Sequence, residues 1–335
     1  MIFNNKNYQP TSNESVLECL LRYDVPVDYS CKTGNCQSCM LKSTQGEIDK
    51  EAQKGLKSTA IEQAFFLACQ QKAETIQAVE LIDQELIFSH ARLVDKKLFS
   101  DNICQLIIEP VSPLYYHAGQ FINLKNAQGI VRSYSIASIP SKQQFIELHV
   151  YKQANGVMSN WLFKEFTIGD KIDFQGPIGE CFYTSENKNN PMILIGTGTG
   201  AAPLIGIVRD AIKSGHQGSI LFYHGARNFS GLYLHDILSK LDKEHSNFTY
   251  RPSISRDEDS ISNLTENDSP IKIEFGRCNE IAIKEIQPTS ETTLYLCGNP
   301  DMVNKTRKKA FLAGIASKNI YIDAFEYKDL RKNDR

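Results

Sequence analysis

The sequence predicts a multidomain chain of three units in series: a small α+β unit bearing a cysteine cluster, a small antiparallel β-barrel, and an α/β unit built on a parallel sheet. Three observations predict it. Residues 1–82 hold the stretch "CKTGNCQSC" at positions 31–39, residues 84–186 run as short apolar or alternating segments, and residues 190–335 alternate strand-like with helix-like stretches. A chain of 335 residues suits two or three such units of about 100–150 residues each.

In the first unit "SVLECLLRYD" reads as a helix, with Val16, Leu17, Leu20 and Leu21 on one face and Thr11 and Glu14 at capping-box spacing before it. Cys19 falls inside that helix and reads as a small buried hydrophobe. In the second unit "ELIFSHARLV", "NICQLIIEP", "GQFINLK", "RSYSIAS", "FIELHVYK" and "KIDFQGP" read as strands, and "GVMSNWLFKEF" as a helix. In the third, the strands are "PMILIG", "SILFYHGA", "FTYRPSIS", "TTLYLCG" and "IYIDAF". Between them "PLIGIVRDAIKSG", "LYLHDILSKLDKEH" and "DMVNKTRKKAFLAG" read as helices, the alternation of βαβ units. "SRDEDSISNLTENDSP" is one long polar stretch and reads as a surface loop.

Composition excludes several classes. A net charge of -2 argues against a nucleic-acid binder, which needs a basic face to neutralise phosphates. No apolar run approaches the roughly 20 residues that span a bilayer, so no membrane partner is expected. The first residues lack the basic-then-apolar layout of a secretory signal, which leads to the expectation of a cytoplasmic protein, taken to be a monomer. In that compartment nine cysteines point to metal or redox chemistry rather than disulfides.

The spacing Cys31-x4-Cys36-x2-Cys39, followed by Cys69 in "FFLACQQ", is the plant-type pattern for a [2Fe-2S] cluster. Two bridged irons need four thiolates, three of which one loop can supply. Gly34 and the small Thr33 and Ser38 let backbone amides approach the sulfurs. Zinc is the competing reading, but structural zinc sites show a second close pair, and Cys69 has no cysteine or histidine near it. At these residues the chain resembles a plant-type ferredoxin domain joined to a reductase of the ferredoxin–NADP⁺ reductase superfamily. The next two segments extend the resemblance over nearly the whole chain. It implies a β-grasp ferredoxin domain, a six-stranded antiparallel β-barrel that binds FAD, and a parallel-sheet α/β domain that binds the nicotinamide nucleotide.

"RSYS", Arg132 with Ser133, Tyr134 and Ser135, is similar to the superfamily's R-x-Y-S/T motif. The resemblance places Arg132 on the FAD pyrophosphate, Tyr134 along the isoalloxazine and ribityl chain, and Ser135 near flavin N5. Independently, the guanidinium fork suits a diphosphate and an aromatic ring suits a flat ring system. Gly156, Val157, Met158 and Ser159 open a helix whose free N–H groups suit a phosphate, and the family uses a G-x-x-S stretch here. By the same resemblance His149, Val150 and Tyr151 offer backbone contacts to the flavin.

"ILIGTGTGAAP" leads from a buried strand through Gly196, Thr197, Gly198, Thr199 and Gly200 into a helix near Pro203, a loop suited to a pyrophosphate. Its G-x-G-x-G spacing and the lack of an acid after "LFYHGAR" disfavour a standard Rossmann dehydrogenase. Cys297, Gly298, Asn299 and Pro300 match the family's C-G-x-P motif, which sets the cysteine beside nicotinamide C4. Phe325 corresponds to the terminal aromatic over the flavin, and Asp323 to an acidic residue near the active centre. Here ten residues follow Phe325, and the charged tail reads as frayed. "GARNFSGLY" resembles NADH-using relatives. Ser255 and Arg256 stand where NADPH-using relatives bind the 2′-phosphate, but Asp257, Glu258 and Asp259 would repel it, so NADH is favoured over NADPH. Cys104, Cys181 and Cys278 read as buried strand-end cysteines.

These parts imply an NAD(P)H-dependent flavoprotein oxidoreductase. Hydride would pass from NADH to FAD near Ser135 and Cys297, and single electrons would leave through the cluster to a protein acceptor, with an oxygenase or hydroxylase component ranked first. "GQFINL", "IELHVYKQANGVMSN" and the "DAF" ending also resemble the reductase of CDP-6-deoxyhexose synthesis, ranked second. A small-molecule flavin reductase or diaphorase with structural zinc, and a redox sensor with an exposed cluster, are the readings from other classes.

Overall fold

The computed structural model describes residues 1–83, 87–141, 144–184, 188–258 and 271–325. The first sheet takes β1 (Ile2–Phe3), β2 (Lys6–Asn7), β3 (Met40–Gly46), β4 (Phe65–Leu67) and β5 (Ile76–Glu80) in the order β2-β1-β5-β3-β4. The pairing of β1 with β5 is parallel and the rest antiparallel, so the sheet is mixed and grasps α1 (Val16–Arg22). Val16, Leu17, Cys19 and Leu20 of α1 are fully buried against Phe66, Leu67 and Ile76. Each large aliphatic chain buried there contributes about 1.5–3 kcal/mol.

The capping box lies one turn later than the spacing of Thr11 and Glu14 indicates. Ser15 caps α1, its Oγ accepting from the Glu18 N–H at 3.2 Å while Glu18 accepts from the Ser15 N–H at 3.0 Å. Glu14 accepts from the Thr11 N–H at 2.9 Å and pairs with Arg22 at 2.9 Å, and the Arg22 guanidinium is the chief reason its carboxyl sits at about 2. A short helix, α2 (Ser58–Glu62), precedes β4.

The second sheet takes β6 (Ser89–Ser100), β7 (Ile103–Pro110), β8 (Phe121–Lys125), β9 (Val131–Ser135), β10 (Ile146–Tyr151) and β11 (Lys171–Ile178). Its order is β10-β7-β6-β11-β8-β9, all antiparallel, and the bridge Ile136↔Leu148 joins the two ends into a barrel. Alternating side chains fill it, among them Leu93, Leu106, Ile108, Ile122, Leu124, Leu148 and Phe174. α3 (Val157–Lys164) plugs one end with Met158 and Leu162. "ELIFSHARLV" enters the sheet only at Ser89; residues 84–86 lie outside the described residues.

The third sheet is wholly parallel, in the order β15-β14-β13-β12-β16-β17. Its strands are β12 (Met192–Thr197), β13 (Ile220–Ala226), β14 (Phe248–Ile254), β15 (Glu274–Phe275), β16 (Thr293–Gly298) and β17 (Ile320–Ala324). The helices are α4 (Ala201–Lys213), α5 (His235–Glu244), α6 (Cys278–Glu285) and α7 (Pro300–Leu312). The order reverses at β12, which opens a crevice at the C-terminal ends of β12 and β16.

Cys278 is not at a strand end: it opens α6, where its Sγ lies 3.8 Å from the Gly196 carbonyl. Residues 259–270 of the polar stretch, Asp259 included, and the tail from 326 onward lie outside the described residues. Among the described residues no helix is long and apolar enough to cross a membrane.

The barrel meets both neighbours. Gly206 in α4 lies so close to the barrel that a Cβ there would sit 3.0 Å from the Ala137 carbonyl oxygen, and Arg209, one turn on, reaches the same carbonyl at 3.1 Å. On the opposite side the loop of Cys36 and Gln37 rests on β8 and β11.

Candidate cofactor and electron-transfer site

Cys31, Cys36 and Cys39 occupy the loop between α1 and β3, and Cys69 follows β4. The pairing Met40↔Leu67 and the bond from the Ala68 N–H to the Cys39 carbonyl (3.0 Å) bring Cys69 beside Cys39, across 30 residues of chain. The four thiols form two hydrogen-bonded pairs, Cys31 with Cys36 and Cys39 with Cys69. Among the described residues no three histidine, cysteine or carboxylate side chains converge as a single metal ion requires. Two thiolates per iron is the demand of a two-iron cluster, and the donor set fits it.

The surroundings favour thiolate. Cys31 Sγ accepts from the Thr33 and Cys36 N–H groups at 3.3 Å each, Cys36 Sγ from the Cys31 N–H at 3.4 Å, and Cys69 Sγ from Gln70 Nε2 at 3.4 Å. The hydrogen bond from Cys36 is the main reason the Cys31 thiol sits low, at about 5, and the bond from Cys39 holds Cys69 at about 7. Their partners Cys36 and Cys39 are pushed up, since each gives its proton to the pair and is buried. Among the described residues the buried Ser38 hydroxyl meets no oxygen or nitrogen at hydrogen-bond geometry, yet it lies near enough to Cys36 to favour its thiolate. Cys31 and Cys69 are half-buried and Thr33 and Asn35 exposed, so this edge of the loop faces outward.

A second constellation joins the barrel to the parallel sheet. Ser135 ends β9, and its Oγ donates to Asp323 Oδ2 at 2.6 Å. Asp323 on β17 is in register with Cys297 on β16, and the Phe325 N–H donates to the Gly298 carbonyl at 2.7 Å. Ser135, Asp323, Cys297 and Phe325, drawn from three strands and the chain beyond, therefore meet at one place. Asp323 keeps some exposed surface, but its carboxyl is enclosed, and this burial pushes it up to about 6 against the Ser135 bond. Cys297 is fully buried, with its Sγ 3.8 Å from that of Cys181 in the loop after β11; burial pushes its thiol up.

Beside it, Gly196 and Thr197 end β12, Gly198, Thr199 and Gly200 make a turn, and α4 starts at Ala201. A Cβ on Gly200 would stand 2.4 Å from the Cys297 carbonyl oxygen, so only glycine brings the helix start this close to β16. A Cβ on Gly198 would meet nothing within 4 Å, which leaves the outer side of the turn open for a phosphate. Thr197 Oγ1 accepts from the Asn299 N–H at 3.3 Å. Asn299 caps α7, its Oδ1 accepting from the Met302 N–H at 3.1 Å, and Pro300 takes the first helical position.

Along the barrel wall, Arg132 Nη1 reaches its neighbour's Val131 carbonyl at 2.6 Å and forms no ion pair among the described residues, a cation placed to accept an anionic group. Tyr134 is half-buried on the barrel core and Ser133 is exposed. Val150 is buried and Tyr151 exposed. His149 turns its ring into the junction with the parallel sheet, 2.9 Å from Tyr233 Oη and 2.8 Å from Glu147 Oε1. Gly156 precedes α3, and the Ser159 hydroxyl is turned back on the loop, accepting from the Gln153 N–H at 3.1 Å and donating to the Gly156 carbonyl at 3.2 Å. That leaves the first N–H groups of α3, at Val157, Met158 and Ser159, as the groups able to meet a phosphate.

The comparisons with known proteins follow the same order. Residues 4–74 match the family described as 2Fe-2S iron-sulfur cluster binding domain, residues 90–183 the oxidoreductase FAD-binding domain, and residues 194–308 the oxidoreductase NAD-binding domain. Over 329 residues, covering 96% of each chain, the protein is 30% identical to the ferredoxin–NAD(P)⁺ reductase component of the naphthalene 1,2-dioxygenase system of Pseudomonas putida. The chain belongs to the family of NAD(P)H-dependent flavoprotein reductases with an N-terminal 2Fe-2S domain. It is also 29% identical, over 93% of each chain, to the CDP-6-deoxy-L-threo-D-glycero-4-hexulose-3-dehydrase reductase of Yersinia pestis. Among solved structures, the cytochrome P450 reductase GcoB of Amycolatopsis superposes with a TM-score of 0.67 at 25% identity over 96% of this chain and 97% of that one. The cofactors of the present chain are FAD, a [2Fe-2S] cluster and a nicotinamide nucleotide.

The polar residues that bridge the units escaped the sequence reading. Glu147 accepts from Gln105 Nε2 at 2.7 Å, from Arg209 Nη1 at 2.9 Å and bonds the His149 ring. Burial alone would raise its carboxyl, but the His149 bond and the Arg209 charge hold it at about 2. Asn123 is fully buried between the barrel and the cluster loop. The only signal for either was a polar residue inside an apolar strand: Asn123 in "FINL", Glu147 in "FIELHV".

Proposed function

We propose that the reductase takes hydride from NADH beside Ser135, Asp323 and Cys297 and delivers single electrons, through a cluster held by Cys31, Cys36, Cys39 and Cys69, to a protein component of an oxygenase system. The observation that carries this reading is the meeting of the R-x-Y-S strand with β16 and β17, sealed by the Ser135–Asp323 bond at 2.6 Å. FAD supplies the exchange between a two-electron hydride and single electrons. For it, Arg132 offers a guanidinium without an ion pair among the described residues to the pyrophosphate, Tyr134 an aromatic face, and the start of α3 at Gly156–Ser159 a second set of donors. Asp323, when ionised, holds the Ser135 hydroxyl in one orientation.

For the nucleotide, the turn from Gly196 to Gly200 offers its N–H groups to the pyrophosphate and Gly298 lines the opposite wall. NADH is preferred over NADPH, because Asp257 and Glu258 are exposed beside Ser255 and Arg256 where a 2′-phosphate would lie. Steady-state kinetics test this: kcat/KM for NADH is expected to exceed that for NADPH by about tenfold or more, and a preference for NADPH would refute it.

A reductase partner in deoxysugar synthesis is the second reading, favoured by the 29% identity to the CDP-hexulose dehydrase reductase. The acceptors separate the two. Electrons passing at catalytic rates to an oxygenase component but not to a dehydrase support the first, and the reverse supports the second.

A further inference from the structure

Asn123 sits in the middle of β8 and is fully buried. Its Nδ2 donates to the Cys36 carbonyl at 2.7 Å and to Gln175 Oε1 at 2.8 Å, and its Oδ1 accepts from Ser133 Oγ at 2.7 Å. Gln175, on β11, donates in turn to the Gln37 carbonyl at 3.4 Å. One amide thus ties three barrel strands to the backbone of the cysteine loop between Cys36 and Cys39. At the rim Lys125, two residues further along β8, meets Asp28 Oδ2 at 2.8 Å, with the Phe88 ring beneath its ammonium group.

A buried amide left without partners costs about 1–3 kcal/mol, so Asn123 is tolerated inside an apolar strand only while its donors are used. One of those donors is used across the boundary between two units, on the carbonyl of a cysteine of the cluster set. Its acceptor is used by Ser133, inside the R-x-Y-S motif. A continuous hydrogen-bonded connection from the R-x-Y-S strand to the cysteine loop therefore runs Ser133–Asn123–Cys36.

We propose that Asn123 is a positioning residue: it latches the loop of Cys36 and Cys39 against the strand that carries Arg132 to Ser135, and so keeps the cluster docked at a fixed distance from the flavin wall. This rests on the assignment of the four cysteines as cluster ligands. Electron transfer through protein slows exponentially with the gap it crosses, so a loop free to drift would spend turnover time at slow distances. Asn123 itself gains and loses neither electron nor proton.

The test is Asn123→Asp in the full-length, cofactor-loaded protein. It keeps the shape, removes the donor to the Cys36 carbonyl, and sets a carboxylate oxygen against it. Hydrogen exchange of residues 31–39 is expected to speed up by about tenfold or more, while strands 103–110 and 146–151 keep wild-type protection. Reduction of cytochrome c through the cluster is expected to fall about tenfold in kcat at unchanged KM for NADH, and direct reduction of ferricyanide from the flavin to stay within about twofold. Should the variant not fold, Gln175→Leu removes the Gln37 contact and one acceptor of the Asn123 amide while leaving the Asn123 bond to the Cys36 carbonyl, and the same pattern at about threefold is expected. Wild-type exchange in residues 31–39, or loss of protection spread equally over the barrel strands, would overturn the proposal. A wild-type protein without iron and sulfide would instead refute the ligand assignment, a separate outcome.

Discussion

Asp323 illustrates how one enclosed carboxyl shapes the junction. Burial raises it from 3.8 to about 6, so between those values the folded chain holds a proton that the unfolded chain releases. Its stabilising share is complete below pH 3.8 and fades as the pH rises through 6. Function runs the other way, since only the carboxylate accepts the Ser135 hydrogen bond without competing as a donor. The rate of flavin reduction by NADH in stopped flow is expected to fall as the pH drops through about 6. Asp323→Asn should flatten that inflection and slow the step by about 10- to 100-fold at pH 8. At Gly200 the argument is steric. A methyl group would press on the Cys297 carbonyl at 2.4 Å, so Gly200→Ala should raise the KM for NADH about tenfold and destabilise by about 1–3 kcal/mol, read by steady-state kinetics and thermal melting. Serine at Cys39 or Cys69 should abolish the iron–sulfur absorption and leave the flavin bound, whereas Cys19→Ser, buried inside α1, should leave both. The grouping of these cysteines was legible in the sequence because three of the four fall within one short loop, and the structure brings Cys69 beside Cys39. Asn123 and Glu147 were not, since a polar residue in a strand announces burial but not its partner, and their partners lie 87 and 62 residues away in Cys36 and Arg209.

At the scale of elements, the glycine turn and the strand beneath it depend on a histidine. His224 in β13 is in register with Gly196, fully buried, and 3.4 Å from Tyr250 Oη. Burial drives its pKa from 6.5 down to about 3, so the ring is neutral in the folded protein. Below pH 6.5 the unfolded chain takes up a proton that the folded chain refuses, and stability falls as the pH falls towards 3. At pH 5 His224 alone costs about 2 kcal/mol, and urea unfolding at pH 5 and 7.5 should show a clearly smaller pH dependence in His224→Gln than in the wild type, with the buried His216 and His235 retaining the rest. Most strands and helices were readable from their periodicity, because each buries one face against a single core. The start of α1 was read correctly but its capping box a turn early: the Thr11 N–H does donate to Glu14 Oε2 at 2.9 Å, yet Glu14 also binds Arg22 and the helix begins only after Ser15, which forms the box with Glu18. α6 went unread because its eight residues are short, half polar, and capped by Arg277 without a side-chain bond.

At the scale of the molecule, the barrel is the hub. Its strand β9 carries the R-x-Y-S motif, its neighbour β8 holds the cysteine loop, and the end of β9 meets Asp323 of the parallel sheet. Sequence texture separated the three units, but not their docking, which rests on a few polar contacts between distant residues. The account holds that electrons enter at the Ser135–Asp323–Cys297 junction and leave at the four cysteines, within one docked chain. The most direct measurement is an anaerobic visible spectrum recorded during stepwise addition of NADH. The flavin bands and the broad red-brown iron–sulfur absorption should both bleach, complete at about one and a half NADH per chain, since the flavin accepts two electrons and the cluster one. Bleaching of the flavin bands alone, with the iron–sulfur absorption persisting or missing, would contradict it.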